Sequence, residues 1–255
     1  MTVGLFLAGV QKCGTTSLFH YLAGHPQLQA PRRKEIHFFD DETVDWRRRD
    51  FGALHACFDG GGEGRLRFDA TPIYLFWPSA LERIKAYNPR ARLILLFRDP
   101  IERAYSHWRM ERLRGAEDLP FSEAIRDGRA RLPGGDLIHG NWRDRSYVER
   151  GFYGAQLARA LSLFPKAQVL VLASEDLRQR HAATLDRVAG FLGIAPFPPV
   201  AARLENQAPP SPLLPPVGRD DHAHLRALYA EDMRRFAALS GVDVGVWRVM
   251  RPFSG

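Results

Sequence analysis

The sequence predicts a three-layer α/β fold, with a central, mostly parallel sheet flanked by helices. Three observations predict it. Strand-like runs alternate along the chain with helical periodicity, the order expected of parallel strands joined by crossover helices. Leu93–Phe97 is an unbroken apolar run, the pattern of a strand covered on both faces. The first apolar run, Val3–Ala8, leads directly into a glycine loop and then a helix, which makes the opening of the fold P-loop-like.

Size and composition set the frame. A chain of 255 residues suits one sizeable domain spanning 1–255. Apolar residues make up 45% and charged residues 25%, an ordinary globular composition. The net charge of +7 favours anionic partners without choosing among them. Cys13 and Cys57 are the only cysteines, too few for a disulfide framework and without a CxxC pair. A reducing, cytoplasmic setting is the expectation. The apolar start lacks a basic leader and is too short to cross a bilayer, and no later stretch approaches a membrane span. No basic stripe interleaved with aromatics is present, so nucleic acid is not an expected partner.

The elements follow in order. Val3–Ala8 reads as a buried strand. Thr16–Leu22 is helical by periodicity and is stopped by Gly24-His25-Pro26. Lys34–Asp40 reads as extended, with Glu35 and His37 on one face and Ile36 and Phe38 packed inward. Arg65–Ala70 is a second strand, and Ser79-Ala80-Leu81-Glu82 is a capping-box signal for a helix to Tyr87. Arg92–Phe97 is the central strand. After it, Asp99 serves as N-cap, Pro100 as first helical residue and Glu102 as the third, opening a helix to about Arg114. Helices are expected over 146–164 and 176–192, with a buried strand at Ala167–Ala173 between them. Eight prolines between Pro196 and Pro216 mark 195–219 as a Pro-rich loop or lid. An amphipathic helix over 220–239 ends at Gly241.

The opening loop carries chemistry. Gly9-Val10-Gln11-Lys12-Cys13-Gly14 has the glycine spacing of a phosphate-binding loop, whose amides and following helix meet an anion. Thr15-Thr16 follows where a nucleoside triphosphatase has lysine and then a hydroxyl for Mg²⁺. The lysine stands inside the loop instead, at Lys12. The loop is therefore expected to take a nucleotide with a different terminal group, without a metal.

Here the residues resemble a family. Gly9–Leu18 is similar to the 5′-phosphosulfate loop of the sulfotransferases that use 3′-phosphoadenosine 5′-phosphosulfate (PAPS). Phe97-Arg98-Asp99-Pro100-Ile101-Glu102-Arg103-Ala104-Tyr105-Ser106-His107 resembles their 3′-phosphate motif. Lys34-Glu35-Ile36-His37-Phe38-Phe39-Asp40 and Asp69-Ala70-Thr71-Pro72-Ile73-Tyr74 resemble the heparan sulfate 3-O-sulfotransferase branch. Arg150-Gly151-Phe152-Tyr153, Ser174-Glu175-Asp176-Leu177 and Phe191-Leu192-Gly193 continue the pattern.

The resemblance implies PAPS as donor and its bisphosphate product, PAP, with no metal required. It implies that Gln11, Lys12, Cys13, Gly14, Thr15, Thr16 and Ser17 hold the 5′ end of the donor, and that Arg98 and Ser106 hold the 3′-phosphate. Glu35 is the expected general base toward an acceptor hydroxyl. Lys12 and His37 complete the expected catalytic set, and Lys34 is a candidate for positioning the donor or Glu35. The acceptor is a glycan, a lipid or a small metabolite. The branch carries a lysine where this chain has Ala70, which weakens the case for a heparan-like polyanion. Loops 41–60, 115–145 and 195–219, with Arg219, are the expected acceptor contacts. Two other readings stay open: an atypical P-loop nucleotide kinase, and a basic anion-binding module without catalysis.

Overall fold

The computed structural model describes residues 2–60, 64–132, 141–202 and 214–253. Five strands form one sheet: β1 (Val3–Gly9), β2 (Leu28–Gln29), β3 (Leu66–Asp69), β4 (Arg92–Phe97) and β5 (Val169–Ala173). Their spatial order is β2-β3-β1-β4-β5 and every neighbouring pair is parallel. The predicted α/β class is the fold observed. β1 sits in the middle because it can be buried on both faces: six of its seven residues, Val3 and Leu5 to Gly9, are buried. β4 pairs with both β1 and β5 along its length, and Leu93 to Phe97 are fully buried.

By contact density the chain divides into two compact units. The first comprises 1–97 and 159–207, and the second 98–158 and 208–255. The first unit holds the whole sheet, with helices Thr15–Ala23, Ala80–Tyr87 and His181–Leu192 around it. In a parallel sheet all carboxyl ends lie along one edge, where ligands of such folds bind. The loop after β1 and the segment after β3 therefore share that edge.

The second unit is helical, built around Pro100–Leu113 and Arg219–Ser240. The first of these begins as the sequence predicts. Asp99 accepts from the amides of Ile101 (2.9 Å) and Glu102 (3.0 Å), with Pro100 next to the cap. Its other oxygen accepts from the Val249 amide at 2.8 Å, so one carboxylate serves a helix start and a C-terminal turn.

Several local expectations are corrected. Lys34–Asp40 is not a strand: Glu35 and His37 have φ of 63° and 57°, in the left-handed region. The alternation was nonetheless a true burial signal, since Ile36 and Phe38 are 6% and 7% exposed. The capping box does not form. Ser79 has φ 63° and makes no side-chain cap, although Ala80–Tyr87 is helical. The helix expected over 146–164 is a short 3-10 turn, Glu149–Gly151, followed by Tyr153–Leu163. That over 176–192 is two helices, Ser174–Gln179 and His181–Leu192, because Arg180 leaves the helical region. Residues 203–213 of the Pro-rich segment lie outside the described residues. Its start is tied to the first unit by Gln27, which accepts from the Ala195 amide at 2.6 Å, and by Tyr21, which donates to the Ala201 carbonyl at 3.3 Å. No helix among the described residues is long and apolar enough to cross a membrane.

Candidate active site

The glycine loop leaves the centre of the sheet. Gly9 is needed by close approach: a Cβ there would meet Leu75 side-chain atoms at 2.8 Å. The Val10 amide donates to Leu96 of β4 at 2.9 Å, and the Cys13 amide returns to the Val10 carbonyl at 3.3 Å. Lys12 has φ 69° and Gly14 φ 90°. Gly14 stands at the N-cap of Thr15–Ala23 and, being glycine, brings no capping side chain of its own. The positive end of the helix dipole at that point suits an anion. Cys13, Thr15 and Ser17 are buried, while Gln11, Lys12, Gly14 and Thr16 keep partial exposure.

The segment Lys34–Asp40 builds a chain of charges. Lys34 donates to Glu35 Oε1, and Lys34 is only 18% exposed in its side chain. His37 Nε2 lies 3.4 Å from Glu35 Oε2, and His37 Nδ1 lies 2.8 Å from Asp40 Oδ2. Asp40 is fully buried. With a carboxylate at each ring nitrogen, His37 is best satisfied as an imidazolium that donates from both. Burial works against its charge, but the hydrogen bonds to Asp40 and Glu35 outweigh burial and raise its pKa to about 9. Burial likewise opposes ionised Glu35, yet the hydrogen bond from His37 and the charge of Lys34 bring its pKa down to about 2. Glu35 is thus a carboxylate across the physiological range, with each oxygen already engaged.

In the second unit, Arg98 Nε and Nη2 both donate to Glu102 Oε2, at 2.9 and 2.6 Å. Arg98, Glu102 and Ser106 are spaced four apart at the start of Pro100–Leu113, so Glu102 and Ser106 share a helix face. Ser106 is partly exposed. Arg98 is thus paired with a carboxylate one helical turn on.

A family model described as "Sulfotransferase domain" matches residues 4–207. The chain belongs to the sulfotransferase domain family. Among its curated relatives, human heparan sulfate glucosamine 3-O-sulfotransferase 3B1 is 32% identical over 191 residues, which is 74% of this chain and 45% of that protein. Mouse heparan sulfate glucosamine 3-O-sulfotransferase 3A1 is 29% identical over 262 residues, covering 94% of this chain and 63% of that one. The chain therefore spans less than two thirds of the length of these relatives. A crystal structure of a sulfotransferase from Alicyclobacillus acidocaldarius matches with TM-score 0.77 and 28% identity, over 97% of this chain and 99% of that chain.

The structure brings Glu35, His37 and Lys34 into one cluster, which sequence reasoning anticipated. It adds Asp40, which was visible three residues after His37 but had been given no role. It also seats Ser174, the residue after β5, beside the loop: a side chain at Gly14 would come within 3.5 Å of Ser174 Oγ. Ala70 is fully buried.

Proposed function

We propose that this chain moves the sulfuryl group of PAPS to a hydroxyl-bearing acceptor, with Glu35 as general base. The observation that carries the reading is the glycine loop. Gly14, in the left-handed region, opens the helix that follows, and the lysine sits inside the loop at Lys12 rather than after Gly14. A kinase would place lysine where Thr15 stands.

In the proposed step the acceptor oxygen bonds to sulfur as the bond from sulfur to the bridging phosphate oxygen breaks. PAP leaves, and the acceptor proton goes to a Glu35 oxygen. Gln11, Lys12, Cys13, Gly14, Thr15, Thr16 and Ser17 hold the 5′ end of the donor, and Lys12 balances charge building on the departing phosphate. Arg98 and Ser106 read the 3′-phosphate, the arginine by its planar pair of donors. His37 is a positioning residue: bonded to buried Asp40 behind it, it orients Glu35. The reaction so drawn needs no metal, because Lys12 and the loop amides supply the positive charge.

A carboxylate with a pKa of about 2 is a weak base. It suffices here. In a loose displacement the acceptor keeps its proton until bonding to sulfur is advanced. By then the proton sits on an oxonium-like oxygen, a far stronger acid than any carboxylic acid. Ionisation and placement matter more than basicity, and the Lys34 and His37 contacts supply both.

The acceptor in this proposal is a glycan, a lipid alcohol or a small metabolite. The human and mouse relatives are named for heparan sulfate, but the buried Ala70 brings no positive charge to the segment after β3 for a polyanion to meet. With no disulfide framework, a reducing, cytoplasmic setting is part of the proposal. The test is transfer of sulfur label from PAPS to a panel of phenolic, glycan and lipid alcohols, with and without chelator, beside calorimetry of PAP against ATP. Chelator-resistant transfer and preference for PAP are expected. Preference for Mg-ATP would replace the reading with a kinase, and salt-sensitive anion binding without turnover would replace it with a binding module.

A further inference from the structure

Four consecutive amides of the catalytic segment end on three side chains of one block. Asp69 closes β3 and is fully buried. Its Oδ1 accepts from the Thr71 hydroxyl and its Oδ2 from the Tyr74 hydroxyl, both at 2.8 Å. The Ile36 amide hydrogen-bonds to the same carboxylate. Thr71 Oγ1 receives the His37 amide at 3.5 Å, and the Tyr74 oxygen receives the amides of Phe38 (3.1 Å) and Phe39 (3.4 Å). These amides belong to no helix or strand, so without the block they would be buried donors lacking acceptors.

Between those amides the backbone is held where non-glycine residues rarely go, at φ 63° for Glu35 and 57° for His37. Such conformations persist only where the surroundings over-determine them. Here they turn Glu35 and His37 toward one another on a segment that is not extended, while Ile36 and Phe38 are buried on the other side.

We infer that Asp69, Thr71 and Tyr74 are positioning residues, a backbone clamp that fixes the left-handed turn on which Glu35 and His37 meet. The inference rests on the proposed role of Glu35. It assigns a purpose to the Asp69–Tyr74 block, to which the sequence reading gave none. The clamp also carries position from the sheet to the site: Asp69 pairs in register with Phe6 of β1, so the catalytic segment is anchored to the strand that ends in the glycine loop.

Tyr74→Phe tests it, because the ring keeps its edge contacts with Phe6 and Phe39 while the hydroxyl is lost. The readouts are turnover, PAP affinity, thermal unfolding and the ring titration of His37 by NMR. Expected are a 10- to 100-fold loss of turnover, PAP affinity within twofold of wild type, and a His37 titration moved down from about 9. A lower unfolding temperature with turnover and His37 titration unchanged would overturn the clamp. Should Tyr74→Phe not fold, Thr71→Val removes the hydroxyl at nearly constant shape and is judged by the same readouts. Normal turnover in Glu35→Gln, together with a shifted His37 titration in Tyr74→Phe, would fault the base assignment while supporting the clamp.

Discussion

Arg98 places both Nε and Nη2 on a single oxygen of Glu102, at 2.9 and 2.6 Å. A 3′-phosphate read by Arg98 has to compete with that carboxylate. Losing a charged hydrogen-bonding partner costs binding roughly 10- to 100-fold. Arg98→Ala should therefore weaken PAP by that much and leave 5′-AMP, which lacks the 3′-phosphate, nearly unchanged. Glu102→Gln should do the reverse and tighten PAP several-fold. Calorimetry with the two nucleotides checks both. Equal losses for PAP and 5′-AMP in Arg98→Ala would remove the arginine from the 3′-phosphate.

Glu35→Gln keeps the shape of the side chain and removes the proposed base. Turnover should fall on the order of 10²–10⁴-fold. PAP affinity should stay within about twofold, since in the proposed step Glu35 meets the acceptor rather than the donor. Single-turnover transfer with labelled donor separates the two effects.

Lys12→Met removes one positive group at the departing phosphate. By analogy with the loss of a single oxyanion donor, the rate should drop on the order of 10²–10³-fold. The drop should appear mainly in kcat. A change confined to KM would mean that Lys12 binds donor and transition state alike.

His37 should titrate near 9 rather than at 6.5, and NMR of its ring protons measures this directly. The linked effect on stability has a fixed sign. A histidine whose pKa is raised on folding stabilises fully below 6.5, and that support is lost as pH rises through about 9. Glu35, lowered from 4.5 to about 2, gives support that is present above 4.5 and lost as pH falls through about 2. Between pH 7 and 10 the wild type should lose more thermal stability than His37→Gln. Asp40→Asn should bring the His37 titration down.

Asp99→Ala should destabilise the chain by about 2–4 kcal/mol, combining a lost helix cap with a buried Val249 amide left without its partner. Chemical denaturation measures it. A loss below about 1 kcal/mol would mean that another acceptor replaces the carboxylate.

The parts of the fold that were legible in the sequence are those set by local chemistry. Val3–Ala8 and Leu93–Phe97 announced themselves as apolar runs, and Asp99-Pro100 announced a helix start. The cluster of Glu35 and His37 was legible through burial of Ile36 and Phe38, but its backbone was not. Two positive-φ residues so close together are not something Glu35 and His37 announce, and what holds them there lies more than thirty residues away, at Thr71 and Tyr74. Ser79 shows the same limit from the other side: a good local capping pattern is overridden where the backbone turns left-handed. Arg98 was singled out by its place at the carboxyl end of β4 together with the resemblance, and Ser106 by the resemblance alone, because a helical serine carries no chemistry of its own.

The central place of β1 has a consequence for how the chain comes into being. β1 is made first, yet both its neighbours are made later: β3 ends at Asp69 and β4 at Phe97. During synthesis the first strand must wait for the third to cover one of its edges and for the fourth to cover the other. These distant pairings make closure of the sheet slow. The glycine loop takes its shape only when that sheet closes, since Val10 is bonded to Leu96 and Leu75 to Ala8. Nucleotide would then bind the finished sheet and not its precursors. Donor in excess should therefore act only on the completed fold, raising its stability with the logarithm of donor concentration over Kd and leaving the rate of sheet closure unchanged.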